Sequence, residues 1–136
     1  MTAGRLTLRL LPGELAVVRR PAAAPVPAWL DLSAPPLACV TRTGDELSIV
    51  CPAAQVPAGE QSADGWRVFR IVGTFDFAQT GILASVLNPL AAAGVGIFAL
   101  STFDTDYILV QESNLDDAWA ALEPHFILED ASALPR

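Results

Sequence analysis

Two segments in the second half of the chain carry polar groups suited to binding a small ligand. The first, residues 74–81, meets the start of a predicted helix, whose free N–H groups and dipole favour a carboxylate. Gly81 would let that backbone approach a ligand closely. In the second segment, Ser101 and Thr102 offer hydroxyl groups and main-chain carbonyls, and Asp106 offers an acceptor for an ammonium group or a cationic side chain. Together they offer groups for an anion and for a cation.

The same region allows simpler structural roles. Asp104 and Asp106 stand where two predicted strands reverse, and aspartate is common in turns. Asp104 is also an alternative to Asp106 as the acceptor for a cation. Asp76 fits an N-cap of the predicted helix as well as it fits a ligand contact. Phe103 fits a packing residue as well as a pocket wall. These alternatives stay open at the level of sequence.

The hydrophobic pattern predicts the elements that must position these segments. In the first helix Ile82, Val86 and Leu90 recur at intervals of four, Pro89 should kink the helix and Gly94 should end it. The predicted elements are a strand over 67–72, a helix over about 77–93, strands over 96–102 and 106–111, a helix between 113 and 124, and a strand over 126–128, before a loose tail from 129 to 136. This β-α-β-β-α-β order is typical of a ferredoxin-like α+β fold.

The first half of the chain reads as a degenerate version of the same order. The pattern predicts a hairpin over 6–20 that turns at Pro12-Gly13, a short helix within 21–36, and a second hairpin over 37–50. The polar, proline-bearing stretch 52–65 is the best boundary. We therefore expect two units, residues 1–60 and 61–136, each built on the βαββαβ pattern.

Composition excludes several classes of protein. The 136 residues carry a net charge of -7, and all 8 basic residues are arginine, with no cluster that would bind nucleic acid or an anionic membrane. The N-terminal stretch does not resemble a signal peptide, and no apolar run is long and continuous enough to cross a bilayer. The 2 cysteines and 1 histidine are too few for a disulfide framework or a zinc site. We expect a soluble, cytoplasmic protein without metal or cofactor.

The residues 72–84 and 90–107, which read VGTFDFAQTGILA and LAAAGVGIFALSTFDTDY, resemble the CASTOR-type ACT domain. The segments 40–43 and 46–51, VTRT and ELSIVC, resemble the first ACT unit of bacterial members of that family. The family is similar to the regulatory ACT pairs of aspartate kinases. The resemblance implies an α+β fold of two ferredoxin-like ACT units in tandem, and a free amino acid bound between them without catalysis.

The resemblance also implies which residues contact the ligand. Positions that match the ligand contacts of the family are Ile82, Thr102, Phe103 and Asp106 in the second unit and Cys39 and Val40 in the first. The flanking residues Asp76, Thr80, Gly81 and Ser101 complete the predicted site. Cys39 stands where the family pattern usually has serine, so a contact there would run mainly through the backbone.

Three functions are compatible with these observations. The first is a bacterial amino-acid sensor or regulatory protein, most simply a homodimer that acts on a still unknown protein target. The second is a small ferredoxin-like enzyme acting on an amino acid or related metabolite, with Asp76, Asp106 and His125 as acid–base groups. The third is a constitutive dimerisation module. Of these, the ligand-binding segments favour the first, which assigns no catalytic residue.

Overall fold

The computed structural model describes residues 5–76 and 79–133, which form a mixed α+β fold. The strands are β1 (Thr7–Leu10), β2 (Leu15–Arg20), β3 (Cys39–Arg42), β4 (Leu47–Pro52), β5 (Gln61–Ile71), β6 (Ile97–Ser101), β7 (Asp106–Gln111) and β8 (Ile127–Asp130), and the α-helices are α1 (Ile82–Ala92) and α2 (Leu115–Leu122). Short 3-10 turns lie at Ala53–Gln55, Glu112–Asn114 and Ala131–Ala133. Neither described α-helix has the length and hydropathy needed to cross a bilayer.

The chain divides into two compact units at points that differ from the expected boundary after residue 60. The helical unit comprises the described residues of Met1–Pro12 and Arg67–Arg136, and the all-strand unit comprises Gly13–Trp66. The difference arises because β5 is one uninterrupted strand. Its first residues pair with β2 in the all-strand unit, as in Val17 opposite Ala63, and its last residues pair with β1 in the helical unit, as in Leu8 opposite Ile71.

The helical unit contains the predicted β-α-β-β-α-β order, in the elements β5, α1, β6, β7, α2 and β8. Within this unit, β1 lies antiparallel to β5 on one side and parallel to β8 on the other, and β7 pairs with both β5 and β6. Alternate strand residues face both helices in one apolar core. The buried core residues are Leu8, Leu10, Phe69, Ile71, Val86, Leu90, Val95, Ile108, Val110, Ala118, Leu122 and Phe126.

The predicted hairpin between β1 and β2 is wrong, because both strands pair with β5 instead of with each other. Leu8 and Leu10 explain the position of β1, since both side chains are buried in the core of the helical unit. A turn at Pro12-Gly13 is compatible with either pairing. The alternation of apolar residues therefore identified the strands but not their neighbours.

The all-strand unit departs from the predicted fold. Its β3–β4 hairpin is confirmed, and the hydroxyl of Thr43 organises the turn by accepting hydrogen bonds from the N–H groups of Asp45 and Glu46, both at 3.1 Å. The short helix predicted within 21–36 is wrong, because this stretch forms turns. Its 5 prolines supply no N–H groups, so they cannot sustain helical hydrogen bonding. Within residues 5–76 and 79–133, one βαββαβ order is present and a second complete one is not seen.

Helix α1 is shorter than the pattern predicted and keeps Pro89 inside it. The predicted start near Phe77 lies outside the described residues, and the helix begins after Gly81. Proline at position 89 cannot donate to the Ser85 carbonyl, a cost of about 3 kcal/mol in a helix interior. Burial of Val86 and Leu90, each fully inaccessible to solvent, contributes roughly 1.5–3 kcal/mol per side chain and offsets that loss.

A Schellman motif ends α1. Gly94 adopts the left-handed φ of 73°, its N–H donates to the Ala91 carbonyl at 3.0 Å, and the N–H of Val95 donates to the Leu90 carbonyl at 2.9 Å. Val95 then packs into the same core as Leu90. Gly94 therefore ends the helix as the sequence predicted.

We expect Gly94→Ala to destabilise the protein by about 1 kcal/mol or more, because a side chain is strained at this positive φ although no atom lies within 4 Å of the added Cβ. Gly96→Ala is the matched control. Gly96 also has no atom within 4 Å of an added Cβ and lacks a left-handed φ, so alanine there should be neutral or stabilising by up to about 1 kcal/mol. Urea denaturation measures both, and equal effects would contradict the assignment.

Candidate ligand-binding site

A cleft of about 270 Å³ opens in the helical unit, between the start of α1 and the turn that joins β6 to β7. Its volume is close to the lower end of the ~300–1,000 Å³ range of ligand pockets, which suits a small molecule. The lining residues are Phe75, Asp76, Gln79, Gly81, Ile82, Leu83, Ala84, Ser101, Thr102, Phe103, Asp104, Thr105 and Asp106. Thus the two polar segments identified in the sequence form opposite walls of one cleft.

One wall consists of the first turn of α1 and the loop before it. Gly81 is the N-cap, with a φ of 79°, and its carbonyl accepts the N–H of Ser85 at 2.9 Å. No side chain caps this end and no acidic residue lies in the first turn. Because the first N–H groups of a helix have no partner within it, the positive end of α1 suits a carboxylate.

Asp76 does not cap α1, so the N-cap role that the sequence allowed for it is wrong. Its N–H instead donates to the side-chain oxygen of Gln79 at 2.8 Å, and its carbonyl accepts the N–H of Gln79 at 2.9 Å. These reciprocal bonds make a local turn before the helix. Asp76 therefore contributes to the cleft from a loop.

The other wall is the end of the β6–β7 hairpin. Ser101 and Asp106 stand opposite each other in the strand register, and the Ser101 hydroxyl donates to the Asp106 carboxylate. The N–H of Thr102 donates to the Thr105 carbonyl at 2.8 Å and closes the turn. Phe103 at the tip is 78% exposed, so it is not a core packing residue.

The charged side chains that line the cleft are all acidic. Asp76, Asp104 and Asp106 all line it, and no arginine is among the described residues that do so. An excess of carboxylates over cations in a cleft produces a negative potential that favours a positively charged ligand group. The cleft thus offers an anion-binding helix start on one wall and cation-binding groups around it.

The structure does not bring all predicted residues to this cleft. Thr80 is described and exposed but is not among the lining residues. Cys39 and Val40 lie on β3 of the all-strand unit. Sequence reasoning missed Phe75, Gln79, Leu83, Ala84 and Thr105, which lie beside or between predicted residues in the same two segments.

The acid–base set of the alternative enzyme is not assembled. Asp76 and Asp106 line the cleft, but His125 is exposed after the end of α2 and lines a different pocket with Arg5 and Asn88. Among residues 5–76 and 79–133, no three His, Cys, Asp or Glu side chains are grouped so as to hold a metal ion.

The two thiols are poor nucleophiles. Burial raises the pKa of the Cys51 thiol to about 11, with smaller contributions from Cys39 and Asp64, and burial also raises the pKa of Cys39. A thiol must ionise to act as a nucleophile, so burial disfavours the nucleophilic form of both side chains. This favours the interpretation of the cysteines as small packing residues.

Two parts of the chain match known protein families. A sequence model described as the ACT domain matches residues 61–124, from the start of β5 to just beyond α2, and this range includes every residue that lines the cleft. A second model, of an N-terminal domain, matches residues 13–59. A solved protein of Agrobacterium tumefaciens is 36% identical, with 98% of this chain and 99% of that one covered and a TM-score of 0.88. Residues 61–124 of the chain are therefore an ACT domain.

The curated relatives of this ACT domain protein are sensors. The human protein named cytosolic arginine sensor for mTORC1 subunit 1 is 36% identical over 63 residues, which is 46% of this chain and 19% of the sensor. The rat sensor of the same name is 40% identical over 55 residues, or 40% of this chain and 17% of the sensor. The matched part of the chain thus spans about a fifth of these relatives.

A more distant structure supports the same fold. The ligand-free regulatory subunit of aspartate kinase from Thermus thermophilus superposes with a TM-score of 0.62, over 90% of this chain and 99% of that one, at 11% identity. An identity this low shows the fold alone.

The raised pKa of Cys51 predicts a loss of stability at alkaline pH. A folded-state pKa of about 11, above the ordinary value of 9.0, means that the thiol favours the folded state below pH 9 and that this contribution is lost as the pH rises towards 11. The loss should approach roughly 2–3 kcal/mol above pH 11. Urea titrations at pH 8 and pH 11 measure it. Cys51→Ala is the control, and an unchanged pH slope in that variant would contradict the prediction.

Proposed function

We propose that the protein is a non-catalytic sensor that binds a free amino acid in the cleft of its helical unit. The observation that carries the proposal is the meeting of an uncapped helix start with the Ser101–Asp106 segment in one small cleft. A free amino acid carries a carboxylate and an ammonium group a short distance apart. The two walls provide groups of the matching kind for each.

Charge favours a particular class of amino acid. The α-carboxylate would pair with the N–H groups at Ile82 and Leu83, and the ammonium group with Asp106. Asp104 then leaves negative charge for a cationic side chain. The curated relatives are named for arginine, and this agrees with the charge of the cleft. Arginine is therefore the proposed ligand.

The expected affinity is physically reasonable. Micromolar binding requires about 8 kcal/mol. A ligand of about twelve heavy atoms would need only ~0.7 kcal/mol from each, which is below the ceiling of ~1.5 kcal/mol per atom for the best small ligands. Charge-assisted hydrogen bonds supply energy of this size without a large apolar contact.

Further parts of the proposal concern the rest of the chain. The family resemblance predicts that Cys39 and Val40 contribute to ligand binding, and this stays a prediction. We also propose that the protein acts in the cytoplasm of a bacterium as a homodimer, with ligand binding transmitted to a protein target. Gel filtration with and without arginine would separate ligand-controlled from constitutive pairing.

The first test is a thermal-shift panel of the twenty amino acids at millimolar concentration, with calorimetric titration of those that stabilise the protein. We expect arginine to raise the melting temperature most, and lysine less, because a guanidinium group binds carboxylates in a fork that an ammonium group cannot reproduce. Glutamate should have no effect. If none of the twenty stabilises the protein, the proposed function is wrong.

Asp106→Asn tests the site itself. Loss of the carboxylate should weaken arginine binding at least tenfold, because the amide keeps the shape but not the charge that pairs with the ammonium group. Asp130→Asn is a matched control, since Asp130 likewise accepts a serine hydroxyl, from Ser132, and does not line the cleft. Calorimetry should show wild-type affinity for Asp130→Asn. Equal losses in both variants would place the ligand elsewhere.

A further inference from the structure

We propose that Thr105 is a positioning residue for the cleft, whose hydroxyl holds the β6–β7 turn against the end of β5. Thr105 is not among the residues that the sequence or the family pattern assigns to ligand binding. This inference rests on the proposed function, since it concerns how the same cleft is held in a binding-competent shape. It assigns to Thr105 no direct contact with the ligand.

Burial makes the role of this hydroxyl specific. Thr105 is 5% exposed and is the one buried polar side chain among the described residues. Its Oγ1 donates a hydrogen bond to the main-chain carbonyl of Ile71 at 2.7 Å. Ile71 is the last residue of β5 and is completely buried in the core of the helical unit. A buried hydroxyl needs such a partner, so the turn is held where this bond can form.

The same turn is connected to the loop that precedes α1. The Thr105 carbonyl accepts two hydrogen bonds from Thr102, one from its N–H at 2.8 Å and one from its side-chain hydroxyl at 3.2 Å. These bonds close the turn around Phe103 and Asp104. The Asp104 carbonyl in turn accepts the N–H of Phe75 at 2.8 Å. Hydrogen bonds therefore join the end of β5, the loop after it and the turn into one frame.

The frame matters because Thr105 stands between two of the acidic residues of the cleft. Its neighbours Asp104 and Asp106 are both lining residues, so the bond to Ile71 sets how far both lie from the start of α1. A bound amino acid must reach both walls at once. The groups of a binding site must be held within about 0.5 Å of their productive positions.

The experiment compares three variants in the full chain. Thr105→Val keeps the shape and removes the hydroxyl, Thr105→Ser keeps the hydroxyl and removes the methyl group, and Thr43→Val removes a hydroxyl that organises the turn of the β3–β4 hairpin. Calorimetric titration with arginine gives the affinity. Hydrogen exchange of the Phe75 amide reports whether the bond to Asp104 is intact, with or without ligand.

We expect Thr105→Val to bind arginine about tenfold more weakly, equivalent to ~1.4 kcal/mol, and to exchange its Phe75 amide faster while the amide of Leu90 stays protected. Thr105→Ser should restore both properties. Thr43→Val should leave both unchanged. If Thr105→Val does not fold, Thr105→Cys replaces it, because its thiol is a much weaker donor, and the same two readouts apply.

Two results would overturn the inference. One is wild-type affinity and Phe75 protection in Thr105→Val, and the other is failure of Thr105→Ser to restore them, since packing of the methyl group would then be the cause. The proposed function fails separately. If wild-type protein binds no amino acid, the exchange of the Phe75 amide still decides whether Thr105 positions the turn.

Discussion

The burial of one apolar stripe of α1 is the constraint on which the rest of the helical unit depends. Val86 and Leu90 are completely buried against the sheet, and the Schellman motif at Gly94 carries Val95 into the same core. With its middle and its end fixed in this way, the helix has little freedom in where it begins. The position of its N-terminus beside the β6–β7 turn is a consequence of packing, and the cleft exists because of it.

The chemistry of the cleft comes from the start of α1 lying opposite the carboxylates of the β6–β7 turn. The helix start presents partial positive charge, while Asp104 and Asp106 bring carboxylates close together on the turn. The Ser101 hydroxyl donates a hydrogen bond to the Asp106 carboxylate but does not neutralise its negative charge. Like charges near each other oppose the compact arrangement, so a cationic group that enters the cleft removes repulsion as well as adding attraction. Binding of a cationic group would therefore stabilise the conformation in which these two carboxylates lie close together.

The region that matches the ACT domain is not the whole of the unit that contains the cleft. The match begins at residue 61, yet β1 lies between β5 and β8 and contributes Leu8 and Leu10 to the core. Removal of this strand would expose the edges of both neighbours and open the core beneath the helices. The N-terminal residues are therefore part of the architecture that supports the site.

The sequence by itself determined the local elements and the two polar segments that line the cleft. Periodic apolar residues located α1 and the strands of the second half, Gly94 marked the helix end, and the residue types at 101–106 indicated a polar turn. Such features depend on near neighbours in the chain.

The helix expected within 21–36 was wrong because Trp29 and Leu30 pack against the core of the all-strand unit from turns. The apolar pattern cannot distinguish such turns from a helix. Tertiary structure alone decided that β1 pairs with β5 and β8, that the two polar segments share one cleft, and that Thr105 is buried against Ile71. Each of these depends on contacts between residues far apart in sequence, whose energies are set by packing and carry no local signature.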